Sequence, residues 1–314
     1  MYYPYLRGRQ FELLALRNFC DYLTGECNII PVIEPVKELK NTLVKAADAM
    51  SKRTMRFAVV LNPAVGECAK QYLRFDNEEI LSDKNKWIPA FIVESGNIER
   101  IKQEISANGY TRVMLVISKK EALDEIALLE LVSNNEISTV LVDPQRRTTV
   151  RNLKSAKVRN IIEFEDKFMP KFSGKDYIGI DEEAFSQEFF YYKDDGYTGF
   201  SDYTILPSAF KEGGTIPKVL VMHLSYQKDE ENIYIKHFVS DSLQDDKADI
   251  QRKFFEAANK AIAFFNQIND ADAAINMLQT YIQSGSYPGL GQLKKISILH
   301  HLLLMQKILS ERGE

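Results

Sequence analysis

Charged and polar side chains follow most of the short apolar runs in this 314-residue sequence. In chain order they are Arg7 and Arg9, Glu34, Asn62, Glu94, Ser118 and Lys119, Asp143, Glu165 and Asp166, and Asp202. Carboxylates that converge with one or two cations suit a divalent metal ion, a phosphate-bearing ligand or acid–base catalysis. Polar residues are also common where strands reach solvent, and Asp and Asn there often serve in turns and helix caps. Both interpretations stay open for any one of these residues.

Glu34 and Glu94 favour a chemical role more strongly than the other strand-end residues. Glutamate is a poor capping residue, and each of these two follows a fully apolar run. A carboxylate in such a place is costly unless it is paired or solvated. We predict that Glu34 and Glu94 point into one pocket and that, with Asp143 and Asp202, they are the candidate catalytic carboxylates.

Arginines stand on both sides of a glycine directly after the first apolar run, at Arg7 and Arg9. Two guanidinium groups beside a helix N-terminus suit an anionic group, so both are candidate ligand-binding residues. A structural ion pair from either arginine to Glu34 is the alternative interpretation.

Two further residues complete the predicted ligand-binding set, Lys119 and His223. His223 lies in a segment that pairs with the one containing His237, so these two histidines are predicted to lie close together. A histidine pair without nearby cysteines or HExxH spacing is weak evidence for a metal site, and a structural histidine is the alternative.

The strong catalytic motifs are missing: no Walker A loop, GxSxG, HExxH or kinase set occurs. The cysteines Cys20, Cys27 and Cys68 are odd in number and lack CxxC spacing, which argues against a disulfide framework or structural zinc. The sequence does not identify which metal the carboxylates would bind. Oxygen ligands suit Mg²⁺ or Mn²⁺, so these are the candidate cofactors.

Net charge and hydropathy argue against two classes of partner, nucleic acids and membranes. Forty basic and 44 acidic residues give a net charge of −4, so no global field draws the chain to nucleic acid or an anionic membrane. No apolar run approaches about 18 residues, the length of a membrane span, and no signal-peptide core is present at the start. We predict a cytoplasmic protein that binds a small anionic ligand or a partner protein.

Spacing of the apolar runs predicts the scaffold. Seven runs begin near residues 2, 29, 57, 88, 113, 138 and 160, and an eighth covers 203–206. Steps of about 22 to 31 residues between the first seven match one β/α unit, and the runs lack the alternation of half-exposed strands. Residues 1–210 are therefore predicted to form a TIM-like (β/α)8 barrel, with function at the strands' carboxyl ends. A doubly wound sheet, which normally has a Gly-rich first turn, is the alternative.

Residues 211–314 depart from the β/α pattern. Apolar segments 218–226 and 233–239 flank a polar spacer and predict a β-hairpin, and helices follow at about 248–268, 271–283 and 290–310. The last helix has a broad apolar stripe, Leu293, Ile296, Leu299, Leu303 and Ile308, which must be buried. We predict that this part packs on the barrel as a single structural unit and that a homodimer contact helps to cover the stripe.

Four short motifs carry a family resemblance. They are YPYLRGRQFELLALR at 3–17, IPVIEP at 30–35, GFSDYT at 199–204 and HLSY at 223–226. With these motifs the sequence resembles the bacterial "beta family" proteins, which occur near phage, mobile-element or defence genes. The resemblance covers most of the chain and implies an association with anti-phage defence. It implies no reaction and no catalytic residues.

Two functional hypotheses follow. The first is an enzyme of the metal-assisted hydrolase or phosphodiesterase type that acts on a phosphorylated or nucleotide-like ligand in the barrel. The second is a non-enzymatic sensor or partner-binding subunit that uses the C-terminal hairpin and helices. Convergence of the four candidate carboxylates in one pocket would favour the first hypothesis.

Overall fold

The computed structural model describes residues 1–38, 40–75, 79–118, 122–211, 213, 217–241 and 249–313. Within these ranges the strands are β1 (Tyr5–Leu6), β2 (Val32–Ile33), β3 (Ala58–Val60), β4 (Ile88–Ile92), β5 (Val113–Ile117), β6 (Ile137–Val142), β7 (Asn160–Phe164), β8 (Glu182–Ser186), β9 (Gly199–Ser201), β10 (Val221–Gln227) and β11 (Ile233–Val239). Strands β1 to β7 and β9 lie side by side in chain order, all parallel, as a nearly closed barrel. The predicted TIM-like barrel is confirmed.

The barrel closes where β9 meets the start of the chain. The amide of Tyr3 donates to the Phe200 carbonyl at 2.9 Å, and the amide of Tyr5 donates to the Asp202 carbonyl at 2.8 Å. The predicted position of the eighth strand is wrong, because residues 203–206 form a turn and the strand lies just before them. Thr204 has a positive φ of 58° in that turn, and its amide donates to the Asp202 carboxylate.

Helices surround the barrel and fill the C-terminal part. They are α1 (Gln10–Tyr22), α2 (Lys40–Lys52), α3 (Glu79–Ser82), α4 (Ile98–Asn108), α5 (Glu125–Val132), α6 (Arg147–Ser155), α7 (Glu188–Tyr191), α8 (Ile250–Gln267), α9 (Ala273–Gln283) and α10 (Leu290–Glu311). Strand alternation gives two buried apolar clusters, one in the barrel lumen and a larger one between the barrel and its helices. None of the described helices is both long and apolar enough to cross a membrane.

Residues 211–314 contain the predicted hairpin, and β8, a strand within residues 1–210 that the sequence did not predict, joins it. Strands β10 and β11 pair antiparallel, and β8 joins the free edge of β11 in a separate three-stranded sheet. Helix α10 packs on α1 and β10. Of its apolar stripe, Leu293, Ile296, Leu299 and Ile308 are buried within this one chain. Leu303, the fifth stripe residue, is half-buried, so most of the stripe is covered within this chain and the stripe gives no support to the predicted homodimer contact.

Candidate functional site

A cavity of about 700 Å³ opens at the carboxyl end of the barrel. Its lining residues are Tyr5, Arg7, Ala64, Val65, Ile92, Glu94, Val116, Ser118, Asp143, Gln145, Phe164, Glu165, Asp166, Lys167, Met169, Tyr203, Ser208, Ala209 and Phe210. They come from seven of the eight barrel strands or from the segments that follow them. Parallel strands place these segments at one end of the barrel, which is where such barrels carry their sites.

Aromatic rings form the floor of this carboxyl-end cavity. Tyr5 and Phe164 belong to the lumen core and also line the cavity. Their ring centroids are 5.2 Å apart, and that of Tyr203 lies 5.2 Å from Tyr5 and 5.1 Å from Phe164. Tyr5 and Phe164 are buried, so the half-buried Tyr203 is the most exposed of the three rings, and exposed aromatic faces stack against planar rings of ligands.

Among the described residues, four carboxylates line the same cavity: Glu94, Asp143, Glu165 and Asp166. Two of the candidate catalytic residues, Glu94 and Asp143, are therefore brought together. The Asp143 Oδ1 atom accepts the Gln145 amide at 2.8 Å, so this residue also serves as a turn residue. The cavity combines an aromatic floor with an acidic rim.

Glu34 lies behind the cavity wall, where it is fully buried. Its carboxylate accepts hydrogen bonds from the Tyr5 hydroxyl at 2.7 Å, from the Arg7 guanidinium and from the Ala64 amide at 2.8 Å. Burial, followed by the charge of Glu34, raises the pKa of Tyr5 well above its ordinary value, so Tyr5 is a permanent donor. The three donors to Glu34 themselves line the cavity. Arg7 forms the structural ion pair with Glu34 that was the alternative interpretation of this arginine.

Arg7 lines the cavity, whereas the other predicted ligand-binding cations, Arg9 and Lys119, are not among its described lining residues. Arg7 also donates to the Ser208 carbonyl at 2.8 Å. Arg9 donates to the Lys211 carbonyl and lies 4.5 Å from the centroid of the Phe210 ring, outside the lining of the carboxyl-end cavity. Lys119 lies outside the described residues.

Asp202 is on the outer side of the barrel wall. It is 3% exposed, and its Oδ1 atom accepts the Tyr2 hydroxyl at 2.6 Å and the Thr204 amide at 2.7 Å. Burial raises the pKa of Asp202 to about 7. Tyr2 belongs to the cluster between the barrel and its helices, so the structure does not bring Asp202 together with Glu94 and Asp143.

An acidic cluster that sequence reasoning missed adjoins the cavity. Glu163, Glu165 and Glu188 each offer a carboxylate oxygen, and these oxygens lie within 4.8 Å of one another. The Lys167 ammonium contacts Glu165 and lies 2.6 Å from Glu188 Oε1. Burial, followed by the charges of Glu188 and Glu165, raises the pKa of Glu163 to about 7. The available signal was Glu163 itself, a carboxylate between Ile162 and Phe164 in β7.

His223 lines a different cavity, of about 400 Å³, beside the three-stranded sheet. It pairs directly with His237 across β10 and β11, as predicted, with 2.9 Å between the two Nδ1 atoms. His237 Nε2 lies 3.0 Å from a Glu183 oxygen. Burial, followed by the neighbouring His237, lowers the pKa of His223 to about 3, so His223 is neutral at physiological pH.

Comparison with known proteins finds no matching family model, no matching curated protein and no matching solved structure. The resemblance to the beta family stays a prediction. The chemistry of the cavity therefore has to follow from its own residues.

Proposed function

We propose that the carboxyl-end cavity binds a small phosphorylated ligand with a planar ring, of the nucleotide class, together with a divalent cation. The observation that carries the proposal is the meeting of an aromatic floor and four carboxylates around one cavity of about 700 Å³. Ligand sites of small molecules have this size, with apolar surfaces and a few convergent polar groups.

The cation is part of the proposal because the described lining has more carboxylates than available positive groups. Arg7 is held by Glu34, and Lys167 is held by Glu165 and Glu188. A bare phosphate would therefore meet mostly negative charge. Mg²⁺ or Mn²⁺ on these carboxylates would supply the positive charge that a phosphate group needs.

Metal-assisted hydrolysis of a phosphate ester is the reaction class that this set of groups supports. In such a reaction a bound cation would polarise the phosphoryl group, a carboxylate would accept a proton from the water that attacks phosphorus, and the ester P–O bond would break to release the leaving group. Glu94 and Asp143 are the candidates for that carboxylate. The alternative, a partner-binding subunit, has less apolar surface to use, because the buried residues of α10 pack on α1 and β10.

Calorimetric titration with adenosine and guanosine diphosphates, in Mn²⁺ and in a chelator, tests the proposal. We expect binding in Mn²⁺ that weakens by about tenfold or more, or about 1.4 kcal/mol, in Glu94→Gln and Asp143→Asn. Asp202→Asn is the matched control, because this carboxylate also follows a barrel strand but lies outside the cavity. Absence of binding in Mn²⁺, or equal affinities in all four proteins, would refute the proposal.

A further inference from the structure

We propose that Glu163, Glu165 and Glu188 form a divalent-cation site, and that the ammonium group of Lys167 occupies it until the cation binds. Glu165 and Lys167 also line the carboxyl-end cavity, so the site lies at the cavity's edge. Binding of the cation is inferred from this cluster alone. Only its role toward a phosphorylated ligand rests on the proposed function.

The spacing of the three carboxylates fits one ion. Their oxygens lie within 4.8 Å of one another. Oxygens on opposite sides of a Ca²⁺ ion are about 5 Å apart, since each bond is about 2.3–2.6 Å long, and around Mg²⁺ they are about 4 Å apart. Small side-chain movements therefore bring all three oxygens into one coordination shell.

One oxygen of Glu163 supplies a second observation, independent of the spacing. This residue is 7% exposed, and its Oε2 atom is buried without a hydrogen-bond partner among the described residues. A buried carboxylate oxygen without a donor is costly, and either a proton or a cation relieves that cost.

Glu188 is already oriented toward the proposed ion position. The Ser186 hydroxyl and the Gln187 amide donate to its Oε2 atom at 2.6 and 3.1 Å, which leaves Oε1 toward Lys167. Hydrogen bonds from such supporting groups fix the direction of a metal-binding carboxylate.

The Lys167 ammonium contacts two of the three carboxylates, Glu165 and Glu188. Burial lowers its pKa, but the charges of Glu188 and Glu165 outweigh burial, and the net effect is a raised pKa. Its compact ammonium group on a flexible stem can leave the cluster, and the adjoining cavity gives it a place to go. A cation that displaced it would direct the ammonium toward a ligand in the cavity.

The test is Mn²⁺ binding to the full chain without any nucleotide, followed by electron paramagnetic resonance. We expect the wild type to bind Mn²⁺, and Glu163→Gln to bind it about tenfold or more weakly, since even the loss of a supporting group costs that much. Lys167→Met removes the competing ammonium group and should bind Mn²⁺ several-fold more tightly. Glu183→Gln is the matched control, since this carboxylate also contacts a lysine, Lys171, but stands outside the cluster.

Failure of both the wild type and Lys167→Met to bind Mn²⁺ would overturn the inference, as would unchanged affinity in Glu163→Gln. Mn²⁺ binding that is lost in Glu94→Gln but kept in Glu163→Gln would place the ion elsewhere in the cavity and also contradict it. Mn²⁺ binding with the expected variant pattern, but without nucleotide binding, would support the cation site and reject the proposed function. The two proposals can therefore fail separately.

Discussion

The buried ion pair between Arg7 and Glu34 holds one wall of the carboxyl-end cavity. Glu34 is inaccessible to solvent and accepts hydrogen bonds from three groups, while Arg7 also binds the Ser208 carbonyl. This pair therefore ties β1 to β2 and to the segment after β9. Removal of one partner would leave a buried charge without compensation, which costs far more than the loss of a surface pair.

We expect Glu34→Gln to lower the free energy of unfolding by about 3 kcal/mol, because it leaves the Arg7 charge unpaired. Arg9→Ala should cost less than about 1 kcal/mol, since Arg9 makes no such pair among the described residues. Urea denaturation of both variants measures the difference. Equal losses of unfolding free energy in the two variants would show that the buried ion pair stabilises the fold no more than Arg9 does.

Asp202 should make stability depend on pH. Its pKa is about 7 in the folded chain, against 3.8 for an ordinary aspartate, so the folded state binds the extra proton between these values. Stability must then fall as pH rises from about 4 to 7, by up to about 1.4 kcal/mol per pH unit for this proton. Asp202→Asn should flatten that slope in urea denaturation over this range. An unchanged slope would mean that Asp202 is ionised throughout.

At the scale of elements, β9 completes the barrel. A Cβ atom on Gly199 would lie 2.7 Å from the Met1 carbonyl oxygen and 2.9 Å from Cε2 of Tyr3. Backbone at that position cannot move without opening the closure between β9 and the chain start. The glycine is therefore required by close approach, not by its φ angle.

Gly199→Ala should destabilise the protein by about 1–3 kcal/mol, the usual cost of forcing an extra carbon into a packed site. Ser106→Ala, at an exposed position of α4, is the control and should stay within about 0.5 kcal/mol of the wild type. Chemical denaturation gives both values. A Gly199→Ala protein as stable as its control would show that the closure is loose.

The sequence predicts most elements but not the closing one, and the reason is physical. Buried parallel strands produce apolar runs at regular spacing, and seven of the eight barrel strands appear that way. Strand β9 is the short Gly–Phe–Ser segment, which is specified by hydrogen bonds to residues 1–5 and not by local pattern. Because the closing strand was misplaced, the sequence did not predict that the Asp202 side chain points toward Tyr2 on the outer side of the barrel wall. Glu94 and Asp143 were predictable because strand ends converge. Glu188 was not, because it lies on α7, in the segment between β7 and β9 that interrupts the β/α repeat.

At the scale of the whole molecule, one buried network joins the barrel to the C-terminal part. The Tyr2 hydroxyl donates to Asp202 and lies 3.1 Å from His301 Nε2, and His301 Nδ1 lies 2.8 Å from the Ser225 hydroxyl. Burial, followed by His300, lowers the pKa of His301 to about 3, so the network carries no imidazolium charge at neutral pH. The same apolar cluster continues from the barrel helices into α8, α9 and α10.

We therefore expect residues 1–210 and 211–314 to unfold together. Scanning calorimetry should show a single transition whose calorimetric and van't Hoff enthalpies agree. Two resolved transitions would mean that the barrel and the C-terminal part are independent domains.

The most direct test of the central claim is a crystal structure of the protein grown with Mn²⁺ and adenosine diphosphate. The account predicts nucleotide density in the carboxyl-end cavity, with the base against Phe164 and Tyr203 and the phosphates joined through Mn²⁺ to the acidic rim. Nucleotide density in the His223 cavity instead, or a carboxyl-end cavity without ligand at saturating nucleotide, would contradict it.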